Sequence, residues 1–206
     1  MAGRFIVFEG IEGAGKSSQL KALKTTLEQK GYRVCLTREP GGTPIAEKLR
    51  CILAAQDTHE PLSAKTELLL MYASRLQHIE HVIQPALQDG QIVLCDRFFW
   101  SSFAYQSGGR GIPLEQVQQL NHWAIGHFMP DLTVYLDIPP SVGLARAAQV
   151  GQPDRFEQQK VSFFSRARQV FYQLVQQFPD TSCCIDAQAD FQTVQRQIIQ
   201  FVIQAL

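Results

Sequence analysis

Near the start of the chain, Gly10-Ile11-Glu12-Gly13-Ala14-Gly15-Lys16-Ser17 has the residue types and spacing to hold a polyphosphate, fitting G-x-x-x-x-G-K-[ST] at every fixed position. Glycine lets the main chain wrap an anion without Cβ clashes, so that N–H groups can point inward. A helix opening near Gly15 adds the positive end of its dipole. Lys16 can then reach the β and γ phosphates of ATP, the Ser17 hydroxyl can ligate Mg²⁺, and Ser18 follows on the same helix. The bland alternative is a glycine-rich turn with no ligand. An apolar run, Phe5-Ile6-Val7-Phe8, leading straight into the loop and a helical pattern leading out of it both weigh against that. The loop alone leaves the reaction open, because GTPases, motor ATPases and small-molecule kinases share it.

Two further segments carry arginine beside carboxylate: Thr37-Arg38-Glu39-Pro40-Gly41-Gly42-Thr43, and Asp96-Arg97. The commonest fate of an arginine is the surface. Two of them, each at the end of an apolar run, are better explained by a second phosphate facing the first, since the guanidinium fork matches phosphate oxygens.

The elements that must position these residues follow from the hydrophobic pattern. Strands are expected at Arg4–Glu9, Arg33–Arg38, Gln91–Asp96, Leu132–Asp137 and Cys183–Asp186, all short and several nearly continuous in apolar residues. Helical stripes lie between them: Leu20, Leu23 and Leu27; Val161, Phe164, Phe171, Leu174 and Phe178; and Val194, Ile198, Phe201 and Ala205. Thr43-Pro44 reads as a cap and a first helical position. The alternation predicts an α/β fold, with a five-stranded parallel sheet flanked by helices on both faces as in P-loop nucleotide-binding proteins. In such sheets ligands bind beyond the carboxyl ends of the strands, where Gly10, Arg38 and Asp96-Arg97 all fall.

Composition limits the partners. Over 206 residues, 19 Lys plus Arg balance 19 Asp plus Glu, which gives no basic surplus for a general affinity to nucleic acid. No apolar run approaches the roughly 18 residues of a membrane span, and the first residues lack a signal-peptide layout, so a cytoplasmic protein is expected. Cys35, Cys51, Cys95, Cys183 and Cys184 form no C-x-x-C pair; Cys35 and Cys95 read as core residues. His59, His78, His81, His122 and His127 show no metal-ligand spacing, and His78 with His81 reads as an exposed helical surface. Trp123 and Phe128 are expected in the core or at a subunit interface.

Together, Phe8-Glu9-Gly10 before the loop, the Thr37–Thr43 run, Asp96-Arg97 and Tyr105-Gln106…Gly109-Arg110-Gly111 resemble bacterial thymidylate kinases, from the first strand to the last helix. That resemblance implies a single domain over 1–206, an acceptor-binding helical region at about 43–88 and a flap at about 146–157. It implies Mg²⁺-dependent transfer of phosphate from ATP to dTMP on the way to dTTP, by a homodimer. It further implies that Arg38 and Arg97 hold the acceptor phosphate, that Asp96 positions Mg²⁺, and that Glu9 lies near the acceptor sugar and metal. Arg75 would grip the base, with Ser102, Tyr105 and Gln106 beside the thymine and deoxyribose. The alternatives are a kinase for another monophosphate or a deoxynucleoside, and a nucleotide-binding regulator.

The sequence departs from the family pattern in three places. Glu12 stands in the phosphate loop where some relatives carry arginine, and only Arg146 and Arg155 flank the flap, so one of these two is expected to neutralise the transferred phosphoryl group. Met71 replaces the usual phenylalanine against the base, which predicts a smaller preference for dTMP over dUMP. Phe98-Phe99-Trp100 follows Asp96-Arg97 and is expected either to repack the site or to line a dimer interface.

Overall fold

The computed structural model of the chain describes residues 3–56, 60–149, 155–156 and 158–206. Among those residues, five parallel strands form one sheet in the order β2-β3-β1-β4-β5: β1 Arg4–Glu9, β2 Val34–Arg38, β3 Ile92–Asp96, β4 Leu132–Asp137 and β5 Ser182–Asp186. Each begins within one residue of its expected position. Along β1, β3 and β4 nearly every side chain is buried, as central strands covered on both faces require.

The helices are α1 Lys16–Gln29, α2 Pro44–Ala54, α3 Ala64–His78, α4 Gln84–Gln88, α5 Phe99–Ser102, α6 Leu114–Ile125, α7 Pro140–Ala147, α8 Val161–Gln177 and α9 Phe191–Gln204. Two π-helical stretches interrupt the series, Ile79–Ile83 after α3 and Phe103–Gly109 after α5. Local chemistry sets the starts. Thr43 caps α2 by accepting from the Ala46 N–H with Pro44 in the first turn, Ser63 caps α3 through the Thr66 N–H, and Asp190 caps α9 through the Thr193 N–H.

The stripe on α1 is buried as expected: Leu20, Leu23 and Leu27 are all within 1% of complete burial. On α8 the buried face is Phe163, Phe164, Ala167, Phe171 and Leu174, while Val161 is exposed. The face widens there because Phe163 lies directly over Gly109, where an added Cβ would come within 2.3 Å of its ring. On α9 the period runs Val194, Ile198, Val202, which leaves Phe201 half-buried and Ala205 exposed beyond the helix end.

Two open alternatives are narrowed and one expectation is corrected. Phe98, Phe99 and Trp100 are buried within the chain: Phe98 packs edge-on against Phe5, Phe99 and Phe128, and Trp100 lies on Phe178, so the interface alternative is excluded, while Phe98 also lines a cavity. Trp123 projects outward at 77% exposure, which excludes the core and leaves the subunit interface of its two expected places. His78 is fully buried, whereas His81 is exposed. All five cysteines are free; Cys95 is buried and Cys35 half-buried. Among the described residues no helix is long and apolar enough to cross a membrane.

Candidate active site

Strand register brings the chemistry together. Arg38 pairs with Asp96, and Asp96 with Phe8, so β2, β3 and β1 end side by side and Glu9, Glu39 and Arg97 follow one residue later. The chain leaves β1 toward β2 on one side and leaves β3 toward β4 on the other, which opens a crevice at the point where the winding reverses. A cavity of about 560 Å³ fills it, running from the phosphate loop past Asp96 and Arg97 to Arg75, Met71 and Phe156.

At the loop end the main chain dominates. Gly13 has φ of 73°, and a Cβ there would sit 1.9 Å from the Gly143 carbonyl, so only glycine lets the loop close against α7. Lys16 folds back over the loop and donates to the carbonyls of Gly10 and Ile11 at 2.9 and 3.0 Å. Burial, with Arg97 nearby, pulls its pKa down to about 8. Ser17 Oγ donates to Asp96 Oδ2 at 2.7 Å. A hydroxyl and a carboxylate so close beside a phosphate loop make a hard oxygen pair, which fits Mg²⁺, an ion that takes few protein ligands and completes its shell with water and phosphate oxygens. Among the described residues no cluster of three or more His, Cys, Asp or Glu is placed to hold a metal.

Arg97 lies between the two ends. Among the described residues it is the non-glycine residue with positive φ, at 70°, a conformation that costs about 1–2 kcal/mol. Its own N–H donates to the Phe8 carbonyl, and its guanidinium donates to Gly10 O at 2.8 Å, Ser101 Oγ at 3.2 Å and Glu12 Oε1 at 2.9 Å while stacking on Tyr105. Burial works against its charge, yet Tyr105, Glu12 and Asp96 push its pKa up, so it is a fixed cation. Glu12 thus turns its side chain away from the loop interior: its second oxygen accepts from the Tyr105 hydroxyl at 2.7 Å. Glu9 is fully buried and accepts from the N–H groups of Phe98 and Ser101 and from the Ser101 hydroxyl. Burial outweighs these donors and raises its pKa to about 7.

The far end is built from side-chain pairs. Arg75 is only 2% exposed; it donates to Glu39 Oε2 at 2.7 Å, Ser102 Oγ at 3.0 Å and Phe98 O at 3.0 Å, between the rings of Tyr72 and Phe98. Burial opposes its charge and Glu39 restores it, with a net upward shift in pKa. Gln106 donates to Glu67, a carboxylate with no exposure that also meets Arg110 and, at 2.7 Å, Arg155. Arg38 lies on the cavity wall with its guanidinium half-exposed on Glu47.

Nine of the expected residues, among them Arg38, Met71, Arg75, Asp96, Arg97 and Arg146, line this one cavity together with the loop residues Glu12, Gly13, Gly15, Lys16, Ser17 and Ser18. The two flap arginines separate. Arg146 lines the cavity and donates to the Ala187 carbonyl, whereas Arg155 donates to the Leu53 carbonyl of α2, stacks on Phe156 and is turned toward Glu67 instead of the phosphate loop. The expected loop at Gln149–Asp154 falls outside the described residues from Val150 to Asp154, as does Glu157. Sequence reasoning missed Glu39, Glu67, His78 and Arg110 as partners. A signal for some of them exists: Leu68, Tyr72, Arg75 and Ile79 share the helical period of α3, so a charged residue on its apolar face called for a buried partner.

A family model described as thymidylate kinase matches residues 8–198. The chain is 48% identical to a thymidylate kinase of Pseudomonas putida over 198 residues, covering 96% of this chain and 94% of that one. It is 49% identical to one of Acinetobacter baylyi over 183 residues, covering 89% and 90%. A solved thymidylate kinase from Ehrlichia chaffeensis superposes with a TM-score of 0.79 at 32% identity, covering 98% of this chain and 99% of that one.

Proposed function

Because this chain belongs to the thymidylate kinase family, we propose that it transfers the γ-phosphate of ATP to dTMP and releases ADP and dTDP. The observation that carries this reading is the single cavity in which a phosphate loop at one end faces Arg38, Arg75 and Arg97 toward the other. A nucleoside triphosphate entering at the loop and a monophosphate entering opposite would meet phosphate to phosphate near Arg97.

The main-chain amides of Gly13 to Ser17 hold the donor phosphates, and Lys16 leaves the Gly10 and Ile11 carbonyls to take the β and γ oxygens. Arg97 exchanges Glu12 for the acceptor phosphate, and Arg38 exchanges Glu47 for it. An acceptor oxygen attacks the γ-phosphorus in line as the bond to the β–γ bridging oxygen breaks, leaving ADP. Little covalent help is needed, so these residues act by alignment and charge neutralisation. Ser17 and Asp96 would hold Mg²⁺, which when bound neutralises charge on the donor phosphates. At the base end Arg75, Ser102, Gln106 and Met71 orient the nucleobase, and Tyr105, beside Arg97, crowds the sugar position. Of the flap arginines, Arg146 has the better support as the cation that neutralises the transferred group, since it lines the cavity.

The reading includes a cytoplasmic homodimer. Family membership supports the dimer, as do the exposed apolar side chains of Ile45, Ile52, Leu69 and Trp123 on α2, α3 and α6, helices that pack in that order. The test is ADP release coupled to a panel of nucleoside monophosphates, with thymidine as the acceptor that offers no phosphate to Arg38 and Arg97. We expect dTMP to give the highest kcat/KM. A higher value for another monophosphate or for thymidine, or ADP release independent of any acceptor, defeats the assignment.

A further inference from the structure

His78 is the fully buried histidine at the end of α3, and no step above uses it. Its two ring nitrogens reach the two residues that flank Arg38 in the chain. Nδ1 lies 3.1 Å from Glu39 Oε1, and Nε2 lies 2.6 Å from Thr37 Oγ1. The same Glu39 carboxylate holds Arg75 through its other oxygen at 2.7 Å. We infer that His78 is a positioning residue of the acceptor site: one imidazole sets Arg38 through both of its chain neighbours and sets Arg75 through Glu39.

The chemistry of the contacts is directional. A carboxylate paired with a guanidinium accepts and does not donate, so Nδ1 carries the proton. In the neutral ring Nε2 is then an acceptor, and the Thr37 hydroxyl donates to it. His78 therefore presents its two ring nitrogens on opposite sides of a rigid plane, one to each partner. The fit is tight. A Cβ on Gly42 would lie 2.5 Å from His78 Cδ2 and 2.9 Å from Thr37 Oγ1, so the loop after β2 rests directly on the ring. One turn back on α3, Ser74 Oγ accepts from the Gly41 N–H at 3.2 Å. Ser74, Arg75 and His78 thus form a bed on which the arginine-bearing loop is laid.

Loss of the ring leaves a buried carboxylate oxygen without its donor and frees the loop to shift. A displacement of ~1 Å in a positioned group is enough to cost up to about 10²-fold. The effect belongs mainly to the acceptor, because the Thr37 and Glu39 side chains meet His78 and Arg75, whereas Glu39 reaches the donor end only through its N–H on the Asp96 carbonyl, a main-chain bond that the substitution leaves in place.

The inference rests on the dTMP kinase reading, and its test separates the two. Three variants are compared with wild type by KM for dTMP at saturating ATP, KM for ATP at saturating dTMP, and thermal unfolding. His78→Leu removes both contacts, His78→Asn keeps a donor near the Nδ1 position, and His78→Gln keeps a group near the Nε2 position. We expect His78→Leu to raise the KM for dTMP by about tenfold or more with the KM for ATP within about twofold of wild type. His78→Asn is expected to recover most of that loss and His78→Gln less. A general structural role would lower the unfolding temperature and the active fraction without splitting the two KM values. Equal KM changes for both substrates, or an unchanged KM for dTMP in a folded His78→Leu, overturn the inference while dTMP turnover by wild type upholds the function. Should His78→Leu fail to fold, equal dTMP KM values in His78→Asn and His78→Gln overturn it instead. A wild type inactive on dTMP overturns both.

Discussion

At the phosphate-loop end of the cavity the protein grips with main-chain groups from one contiguous run, Gly10 to Ser17, whereas at the acceptor end it grips with ionised side chains drawn from distant parts of the chain. The first construction is stiff, because its shape is written into backbone angles such as those at Gly13 and Gly15. The second is exchangeable. Arg97 on Glu12 and Arg38 on Glu47 already hold carboxylates in the positions where phosphate oxygens are proposed to go. A carboxylate that occupies a guanidinium until substrate arrives keeps the cation oriented and spares it an uncompensated buried charge. The deeper pairs, Arg75 with Glu39 and the cluster on Glu67, have less than 5% exposure on at least one side and act as fixed struts.

The sharpest break of this contrast is Arg97→Ala, which removes the one cation that touches both ends. We expect kcat to fall by about 10³-fold, and Arg97→Lys to restore little of it because an ammonium cannot bridge Gly10 O, Glu12 and an acceptor phosphate as a fork does. Single-turnover kinetics with ATP and dTMP measure it; a loss confined to tenfold would mean that Arg97 only binds. Next comes Gly13→Ala, aimed at the main-chain end alone. With the Gly143 carbonyl 1.9 Å from the new Cβ, the loop must move, and an increase in ATP KM of about 10²-fold is expected with the dTMP KM held. Should both KM values rise together, the two ends are coupled and not separate constructions.

The flap arginines come third. Arg146→Ala is expected to lower kcat at least tenfold, while Arg155→Ala, whose guanidinium lies on Glu67 and Leu53 O, acts on the dTMP KM. If neither changes turnover more than a few-fold, the charge on the transferred group is neutralised elsewhere. A smaller effect belongs to Met71, half-buried on the cavity wall. Steady-state kinetics should give a modest ratio of kcat/KM for dTMP over dUMP, and Met71→Phe should raise it several-fold. A wild-type ratio near 10³ would show that Met71 does not loosen the choice.

The same contrast explains what could be read from sequence. The phosphate loop, the five strands and the capped start of α2 depend on neighbours in the chain, and each was visible as a local pattern. The position of Arg38 and Arg97 at strand ends followed from where the apolar runs stop. Their partners did not follow, since Glu39 and His78 are 39 residues apart and Glu9 and Ser101 are 92 apart. His78 reads as surface together with His81 because no third metal ligand accompanies the pair, yet the helix passes into π-helical geometry at Ile79, between the two. The extra residue in that turn rotates His81 off the face that carries His78, so one ring is buried and the other exposed. For Trp123 the sequence leaves core and interface open, because aromatic character suits both, and only tertiary placement decides against the core.

The smallest expected effect is on stability, and it comes from Glu9. This carboxyl sits at the junction of the two constructions, held by the Phe98 and Ser101 amides, with its pKa raised by burial from 4.5 to about 7. In the unfolded chain it loses its proton near 4.5, so between that pH and about 7 the folded state binds more protons than the unfolded one. Stability is therefore at its fullest below about 4.5 as far as this group is concerned, and falls as pH rises through 7, by a few kcal/mol at most. Lys16 acts in another window. Its pKa is lowered to about 8 from 10.5, so the unfolded state binds more protons only above pH 8, and stability recovers there as pH rises. Glu9→Gln removes the first effect and leaves the second, because glutamine keeps an acceptor for both amides and the Ser101 hydroxyl can turn to accept. Thermal unfolding from pH 5 to 7.5 should thus show the variant losing less stability than wild type as pH rises, and parallel curves would mean that Glu9 keeps an ordinary carboxylate pKa in the folded protein.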